Sequence, residues 1–173
     1  MAGRNQHGFT LIELLVVVAV IGIVAAIALP GMQRAKMASN ESSAIGSVRA
    51  IMNGQAGYSA GCGQGGYATG LAILGAPCGA GNYGFVSPDL NPATPGVTAL
   101  GAGVLKSGYD LQMAGNGVAG ATDMSGNATN VDYLVTAVPV QIGSSGQRGF
   151  NARSRGHIFM DPAGGLAGTI PLQ

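Results

Sequence analysis

The stretch Gly8-Phe9-Thr10-Leu11-Ile12-Glu13-Leu14-Leu15 opens an apolar run that continues to Met32. From Leu14 to Met32 there are 19 residues without an ionisable group. In a helix that rises about 1.5 Å per residue, such a run spans roughly 28 Å, close to the thickness of a bilayer core. The run therefore predicts a membrane-spanning helix.

Glu13 is the exception in this apolar helix. A carboxylate one turn inside a hydrophobic helix is costly in lipid, so it indicates a function and a partner for its charge. A secretory signal peptide is the alternative interpretation. Signal peptides carry their charges before the apolar core and a small-residue cleavage site after it. Here a Gly-Phe junction precedes the run, and no Ala-x-Ala site stands out where such a cleavage is expected.

The segment from Gly8 to Glu13, followed by an apolar helix, resembles the N-terminus of type IV prepilins and related pseudopilins over about residues 8 to 31. The resemblance implies that a membrane prepilin peptidase cuts between Gly8 and Phe9 and methylates the new amine of Phe9. It also implies that Glu13 pairs with the N-terminal amine of a neighbouring subunit. A buried carboxylate and a buried ammonium are each costly alone, so this pair penalises subunits that are out of register.

Composition excludes several classes of protein. The chain has 173 residues, which allows one ordinary domain plus the N-terminal segment. It contains 8 Lys and Arg against 7 Asp and Glu, and cleavage after Gly8 would remove Arg4 and leave the side-chain charges balanced. A nucleic-acid partner is not expected, because it would need clustered basic charge. Only 9% of the residues are charged and 31 are glycine, which suits a subunit packed among copies of itself.

One long helix is predicted from about Phe9 to Gly54, with a kink at Gly22 and Pro30. Proline removes an intrahelical hydrogen bond, so the alternative is that the helix ends at Pro30. Apolar residues resume at helical spacing beyond it, as at Ile45, Val48 and Met52. In the resembled family the segment between the positions that match Gly22 and Pro30 can lose helicity on assembly. The predicted polar faces of the second half carry Arg34, Lys36, Glu41 and Arg49.

The rest of the chain predicts an α+β head, in which a small antiparallel sheet of three or four strands packs on the apolar face of the helix. This is also the arrangement that the resembled family uses. Alternating apolar residues mark the strands: Tyr109, Leu111 and Met113; Val131, Tyr133 and Val135, extending to Ala137; Phe150 and Ala152; and Ile158 to Asp161. Pro139 either limits the second strand or places it at an edge. Residues 53–80 are predicted as a Gly-rich loop, 83–106 as irregular, 114–130 as a polar loop, and 164–168 as a tail without clear secondary structure.

The predicted organisation is a leader at 1–8, a transmembrane and filament-core helix at 9–31, its amphipathic continuation at 32–57 and a globular head at 58–173. The only two cysteines, Cys62 and Cys78, fit neither a four-ligand metal site nor a Cys-x-x-Cys motif. Exported chains meet oxidising surroundings, so a disulfide is expected and would contribute about 3 kcal/mol. Two buried free thiols are the alternative.

No catalytic residue, metal site or cofactor is predicted. His157, the only histidine after the leader, is expected at the surface rather than in a Ser–His–Asp site. Asp123, Asp132 and Asp161 match no calcium loop and are expected to be solvated or to cap turns. Asn40 and Asn127 each begin an N-x-S/T sequence, a pattern common by chance, and no glycosylation is predicted.

The expected function is that of a type IV pilin, a structural subunit rather than an enzyme. It would sit in the bacterial inner membrane, pass through the prepilin peptidase and the pilus assembly machinery, and form an extracellular homopolymer. A type II secretion pseudopilin in a periplasmic pseudopilus is the alternative. A third interpretation is a membrane-anchored binding domain or enzyme. Glu13 argues against it, because a simple anchor does not need a buried acid. Met160 to Gly165 contains one acid where a major secretion pseudopilin is expected to have an acidic calcium loop, and this favours the pilin.

Overall fold

The computed structural model describes residues 9–79, 81, 83–166, 168 and 170–172. The predicted leader, residues 1–8, and with it Gly8, lies outside the described residues. The chain divides into a first unit that ends at Lys36 and a second unit that begins at Met37.

Helix α1 spans Leu11–Gly61 and contains 51 residues. It runs through Pro30, so the alternative in which the helix ends there is wrong. It also ends seven residues later than the predicted Gly54, at a turn that leads into the first cysteine. The bend expected at Gly22 and Pro30 stays a prediction.

The part of α1 in the second unit has one buried face, as its amphipathic pattern predicts. The buried residues are Glu41, Ala44, Ser47, Val48, Ile51, Gly54, Gln55 and Tyr58. Ile45 and Met52, which were expected to share the core side with Val48, are only partly buried. Glu41, which was expected on a polar face, is buried, and that prediction is wrong because the carboxylate pairs with Arg148 of the second unit.

An antiparallel sheet of seven strands packs on this face, in the order β2-β3-β4-β6-β7-β8-β9. The strands are β2 Ala99–Leu100, β3 Gly103–Lys106, β4 Tyr109–Gly115, β6 Tyr133–Pro139, β7 Gly149–Arg153, β8 Ile158–Asp161 and β9 Ile170–Pro171. A second sheet pairs β1 Tyr67–Ala68 with β5 Thr129–Asn130. A short helix α2, Leu71–Leu74, and a 3-10 turn, Pro88–Leu90, lie in the connections.

The four predicted strands correspond to β4, β6, β7 and β8, which are adjacent in the sheet. In register, Val135 lies opposite both Met113 and Ala152, and all three side chains are buried against the core. Val131 was assigned wrongly: it precedes β6, is 51% exposed, and donates its N–H to the Val118 carbonyl. Pro139 does end β6, but β6 lies between β4 and β7, so the alternative of an edge strand is wrong.

The regions predicted as loops or as irregular contain β1, β2, β3 and β5. Residues 83–106 contribute β2 and β3, the polar loop 114–130 contributes β5, and the Gly-rich loop contributes β1. The C-terminal tail returns to the sheet as β9 after residues 164–168, which form no strand among those described.

The sheets end in short strands. The seven-stranded sheet has two-residue strands at both edges, β2 and β9. At β1, the fully buried side chain of Gln55 accepts the N–H of Ala68 at 2.9 Å and donates to the Ala68 carbonyl at 2.9 Å. The Gln55 amide thus bonds Ala68 as a neighbouring strand would.

A close backbone approach explains one of the helix glycines. A Cβ added at Gly54 would lie 2.6 Å from the carbonyl oxygen of Phe85 and 2.8 Å from a methyl group of Val86. The Phe85 ring then packs edge-on against Tyr58, with ring centroids 5.4 Å apart. Gly54 therefore lets the segment that follows the disulfide loop lie directly on α1.

Candidate functional site

The first candidate site is the start of α1, where Thr10 caps the helix. The Thr10 hydroxyl oxygen accepts the N–H of Glu13 at 3.3 Å, and the Thr10 carbonyl accepts the N–H of Leu14 at 3.3 Å. The same hydroxyl lies 3.5 Å from a carboxylate oxygen of Glu13, to which it donates. Thr-x-x-Glu before an apolar run is the spacing of a capping box, a signal that the sequence interpretation above did not use.

The cap places Glu13 in the first turn of the helix, where the helix dipole favours a negative charge. From Phe9 to Gln33 it is the only ionisable side chain. Phe9 and Glu13 are both exposed on the isolated chain, so the carboxylate is accessible to a partner from outside.

The apolar surface that follows has no cover within the described chain. The most apolar window of α1 has a mean hydropathy of 3.0, and none of that window is buried. A helix that is hydrophobic all round must be buried in lipid or among other apolar helices. By length and composition α1 is long and apolar enough to cross a membrane.

The predicted disulfide is present between Cys62 and Cys78, with Cα atoms 6.1 Å apart. Both cysteines of the sequence are used, so the alternative of two free thiols is wrong. Cys62 directly follows α1 and is buried, whereas Cys78 is partly buried. The bond ties the end of the helix to the Gly-rich loop.

Asp123 holds a second loop against this disulfide. Its carboxylate accepts the Tyr58 hydroxyl at 2.6 Å and the backbone N–H groups of Ser125 and Asn127 at 2.8 and 2.7 Å. Burial raises the pKa of Asp123, but these hydrogen bonds outweigh burial and leave the pKa below its ordinary value. The loop contacts the cysteines through Met124, whose N–H donates to the Cys62 carbonyl at 3.1 Å.

Glu41 of α1 and Arg148, which directly precedes β7, form an ion pair that sequence reasoning missed. One oxygen of Glu41 accepts the N–H groups of Gln147 and Arg148 at 3.0 and 3.2 Å. The other accepts Nε of Arg148 at 2.8 Å and also a terminal guanidinium nitrogen. Burial raises the pKa of Glu41, but the hydrogen bonds from the Arg148 side chain and from the two N–H groups lower it by more. The pKa of Glu41 therefore lies below its ordinary value. No local pattern marks two residues 107 positions apart.

Two buried tyrosines of the sheet have pKa values that are raised to about 12. Burial, which disfavours the phenolate, is the main cause for both Tyr109 and Tyr133. The Tyr109 hydroxyl donates to the Arg148 carbonyl at 2.9 Å, next to the Glu41 ion pair.

The carboxylates considered for calcium serve separate turns. Asp132 accepts the N–H groups of Tyr133 and Ser154 at 2.7 and 3.2 Å. Burial raises the pKa of Asp132, but a hydrogen bond from the Ser154 side chain and these two N–H groups outweigh burial and leave the pKa below its ordinary value. Asp161 accepts the N–H of Ala163 at 2.9 Å. In the part of the chain that the structure describes, no three His, Cys, Asp or Glu side chains are grouped to hold a metal ion.

Of the other polar residues noted in the sequence, Asn127 belongs to the Asp123 loop, and His157 and Asn40 lie elsewhere in the second unit. His157 is exposed beside the β7–β8 turn. The amide nitrogen of Asn40 donates to the Ser145 carbonyl at 2.8 Å, and that of Asn127 donates to Asp123 at 3.0 Å. Both amide nitrogens of the N-x-S/T sequences are therefore occupied within the fold.

Comparison with known proteins identifies a family motif in the N-terminal segment. The sequence model of the family described as "Prokaryotic N-terminal methylation motif" matches residues 3–29, which include Gly8, Phe9 and Glu13. No solved structure matches the chain. The match and the exposed apolar helix fit a protein that is anchored in the inner membrane by its N-terminal helix before assembly.

The N-terminal segment therefore carries a prepilin-type N-terminal methylation motif. This motif supports a pilin-like or pseudopilin-like substrate of a prepilin peptidase, and the family of the motif is structural rather than enzymatic.

Proposed function

We propose that this chain is the structural subunit of an extracellular type IV pilus. It is cleaved after Gly8, methylated on the amine of Phe9, and polymerised through its N-terminal helix. The observation that carries the proposal is a single carboxylate, Glu13, in the first turn of a helix whose apolar surface is uncovered.

Charge explains how such a helix selects its neighbours. In a bundle of apolar helices the Glu13 carboxylate needs a compensating cation, because an unpaired buried charge costs several kcal/mol. No Lys or Arg follows until Arg34, which is roughly 30 Å further along a helix. Cleavage frees the N-terminal amine of Phe9, and this amine on an adjacent copy is then the nearest cation. Pairing Glu13 with it fixes the register of the two helices.

One feature supports a pilus over the pseudopilus alternative. The segment from Met160 to Gly165 contains a single acid, Asp161, and this acid is used to cap its own turn. A major pseudopilin would be expected to gather several acids around calcium there. Both assemblies would use the same N-terminal segment, so they differ in where the filament is found.

Replacing Glu13 tests the proposal. We expect Glu13→Ala and the isosteric Glu13→Gln to insert into the membrane normally and to fail in polymerisation, because both remove the charge. Thr10→Ala is the matched control, since it removes the cap and keeps the carboxylate. The measurement is membrane-bound monomer and sheared surface filament, quantified separately in cells that lack the wild-type chain.

Wild-type filament yield from both Glu13 variants would contradict the proposed pairing. Equal loss in Thr10→Ala would move the role of Glu13 to capping the helix. Filaments of the wild-type chain confined to the periplasm would replace the pilus with the pseudopilus.

A further inference from the structure

Basic side chains of the second unit gather beside the β7–β8 turn. Seven of the eight Lys and Arg residues follow Gly8 in the sequence. Three of these seven, Arg49, Arg153 and Arg155, line two adjoining clefts beside the β7–β8 turn, and His157 lines both clefts. Asp132 is the only acid among the described residues that line them. A chain with nearly balanced charge therefore has a local excess of cations.

The register of the hairpin explains how these side chains meet. Ala152 and Ile158 are paired and buried in the core, so their neighbours Arg153 and His157 project to the other face of the sheet. Asn151 and Phe159 are paired on that same outer face. The larger cleft measures about 650 Å³ and is lined by Asp132, Asn151, Arg153, Arg155, His157 and Phe159. We call it the arginine cleft.

The two guanidinium groups retain hydrogen-bonding capacity. Arg153 is 52% exposed, and its nearest carboxylate oxygen, on Asp132, is 3.9 Å away, too far for a strong bidentate pair. Arg155 is exposed, and in the described ranges no carboxylate oxygen lies within 4.0 Å of it. Exposed guanidinium groups of this kind are suited to planar carboxylates and phosphates.

The other side chains of the cleft narrow the class of anion. Asp132 repels a densely charged polyanion, but it can accept hydrogen bonds from hydroxyl groups. The Phe159 ring offers an apolar surface for the carbon face of a sugar ring, and a ligand site commonly combines such a surface with a few polar groups. We propose that the arginine cleft binds a saccharide that carries one carboxylate per ring, of the uronic acid type.

Binding is tested on the full chain in a non-ionic polyoxyethylene detergent, which carries neither sugar nor charge. The probe is a fluorescently labelled trimer of galacturonic acid, with a neutral galactose trimer and a trinucleotide as matched comparisons. We expect saturable binding of the uronate alone. Arg153→Gln and Arg155→Gln are each expected to raise its Kd about tenfold, since each removes a charge-assisted hydrogen-bond donor. Phe159→Leu is expected to raise it about threefold through loss of the aromatic face.

Arg34→Gln is the control variant, because it makes the same change of charge in the first unit. The near-ultraviolet circular dichroism of the tyrosines, which all lie in the second unit, verifies that each variant is folded. Arg155 is exposed and makes no ion pair among the described residues, so its variant keeps the test valid if Arg153→Gln is misfolded.

Four results would overturn the proposal. The first is the absence of saturable uronate binding to the wild-type chain. If Arg155→Gln also lowers filament yield in that case, the cleft is a contact between subunits instead. The second is an equal loss of affinity in Arg34→Gln, which indicates unspecific attraction. The third is equal affinity for the neutral trimer, and the fourth is tighter binding of the trinucleotide, which indicates a phosphate ligand.

Discussion

Removal of Glu41 is expected to destabilise the second unit more than any loss of a surface ion pair would. Glu41→Ala deletes hydrogen bonds to two backbone N–H groups and to the Arg148 guanidinium. Hydrogen bonds to a charged group contribute roughly 1.5–3 kcal/mol each. Gln147 and Arg148 are exposed, so water replaces part of what their N–H groups lose. We therefore expect the free energy of unfolding to fall by about 2–3 kcal/mol rather than by the full sum.

A double-mutant cycle separates the ion pair from the backbone hydrogen bonds. Arg148→Ala removes the side-chain bonds to Glu41 and keeps the backbone N–H of residue 148, which still donates to Glu41. The Arg148 side chain is 45% exposed and the Glu41 side chain 8%, so solvent screens the pair and we expect a coupling energy of about 1 kcal/mol. The remaining loss in Glu41→Ala then belongs to the two N–H groups.

The assay is thermal unfolding of the full chain in detergent, followed by near-ultraviolet circular dichroism of the tyrosines. A loss of about 2–3 kcal/mol corresponds to a fall in Tm of roughly 5–10 °C for a chain of this size. The reasoning would be refuted by a Glu41→Ala variant within about 1 °C of the wild-type Tm. It would also be refuted by a coupling energy as large as the whole effect of Glu41→Ala, because the N–H groups would then contribute nothing.

Three further predictions concern packing, processing and pH. Gly54→Ala should lower the free energy of unfolding by about 1–3 kcal/mol, because its Cβ would lie 2.6 Å from the Phe85 carbonyl. Gly46 lies in the same helix, and a Cβ there would have no neighbour within 4 Å, so Gly46→Ala should raise the free energy of unfolding by about 0.5–1 kcal/mol. A higher Tm for Gly54→Ala than for Gly46→Ala would refute the close approach of Phe85 to Gly54. Gly8→Val should leave uncleaved precursor, because the cut needs a small residue there, and mass spectrometry that still finds a chain beginning at methylated Phe9 would contradict this. Glu41, Asp123 and Asp132, whose pKa values are lowered, stabilise the fold at pH values above their ordinary pKa, near 4, and this stabilisation is lost as the pH falls through the lowered values. Tyr109 and Tyr133, whose pKa values are raised to about 12, stabilise the fold below pH 10, and this stabilisation is lost as the pH rises towards 12. A profile of Tm against pH should therefore be flat from about pH 5 to 9, and a maximum outside this range would disprove the assignment.

Periodicity made the helix and the central strands predictable. Apolar residues recur at helical spacing beyond Pro30, and Tyr109, Leu111 and Met113 alternate as a half-buried strand requires. Strand β3 has no such alternation. Its first residue, Gly103, is buried where only a residue without a side chain fits, because a Cβ there would lie 2.4 Å from the Leu111 carbonyl oxygen. Short pairings such as β1 with β5 join distant loops, and local composition identifies these only as polar or glycine-rich.

The start of α1 could be predicted from its motif, since the family pattern is contiguous and the Thr10 cap follows from the spacing to Glu13. The burial of Glu41 could not. A charged residue on an amphipathic helix normally faces solvent, and only the folded sheet brings Arg148 to it. The arginine cleft is similar, because its residues reach one surface only through the register of β7 and β8.

The short edges of the two sheets have a consequence for crowding. Copies of a chain concentrated in one membrane meet often, and a long bare strand edge would let them add to one another's sheets without control. Here the described edges of the larger sheet offer two residues each, and Pro171 in β9 lacks an N–H. In the smaller sheet, Gln55 of α1 bonds both backbone groups of the fully buried Ala68, so this side of β1 is covered. The second unit therefore resists strand exchange, and ordered association is left to surfaces that have a defined register.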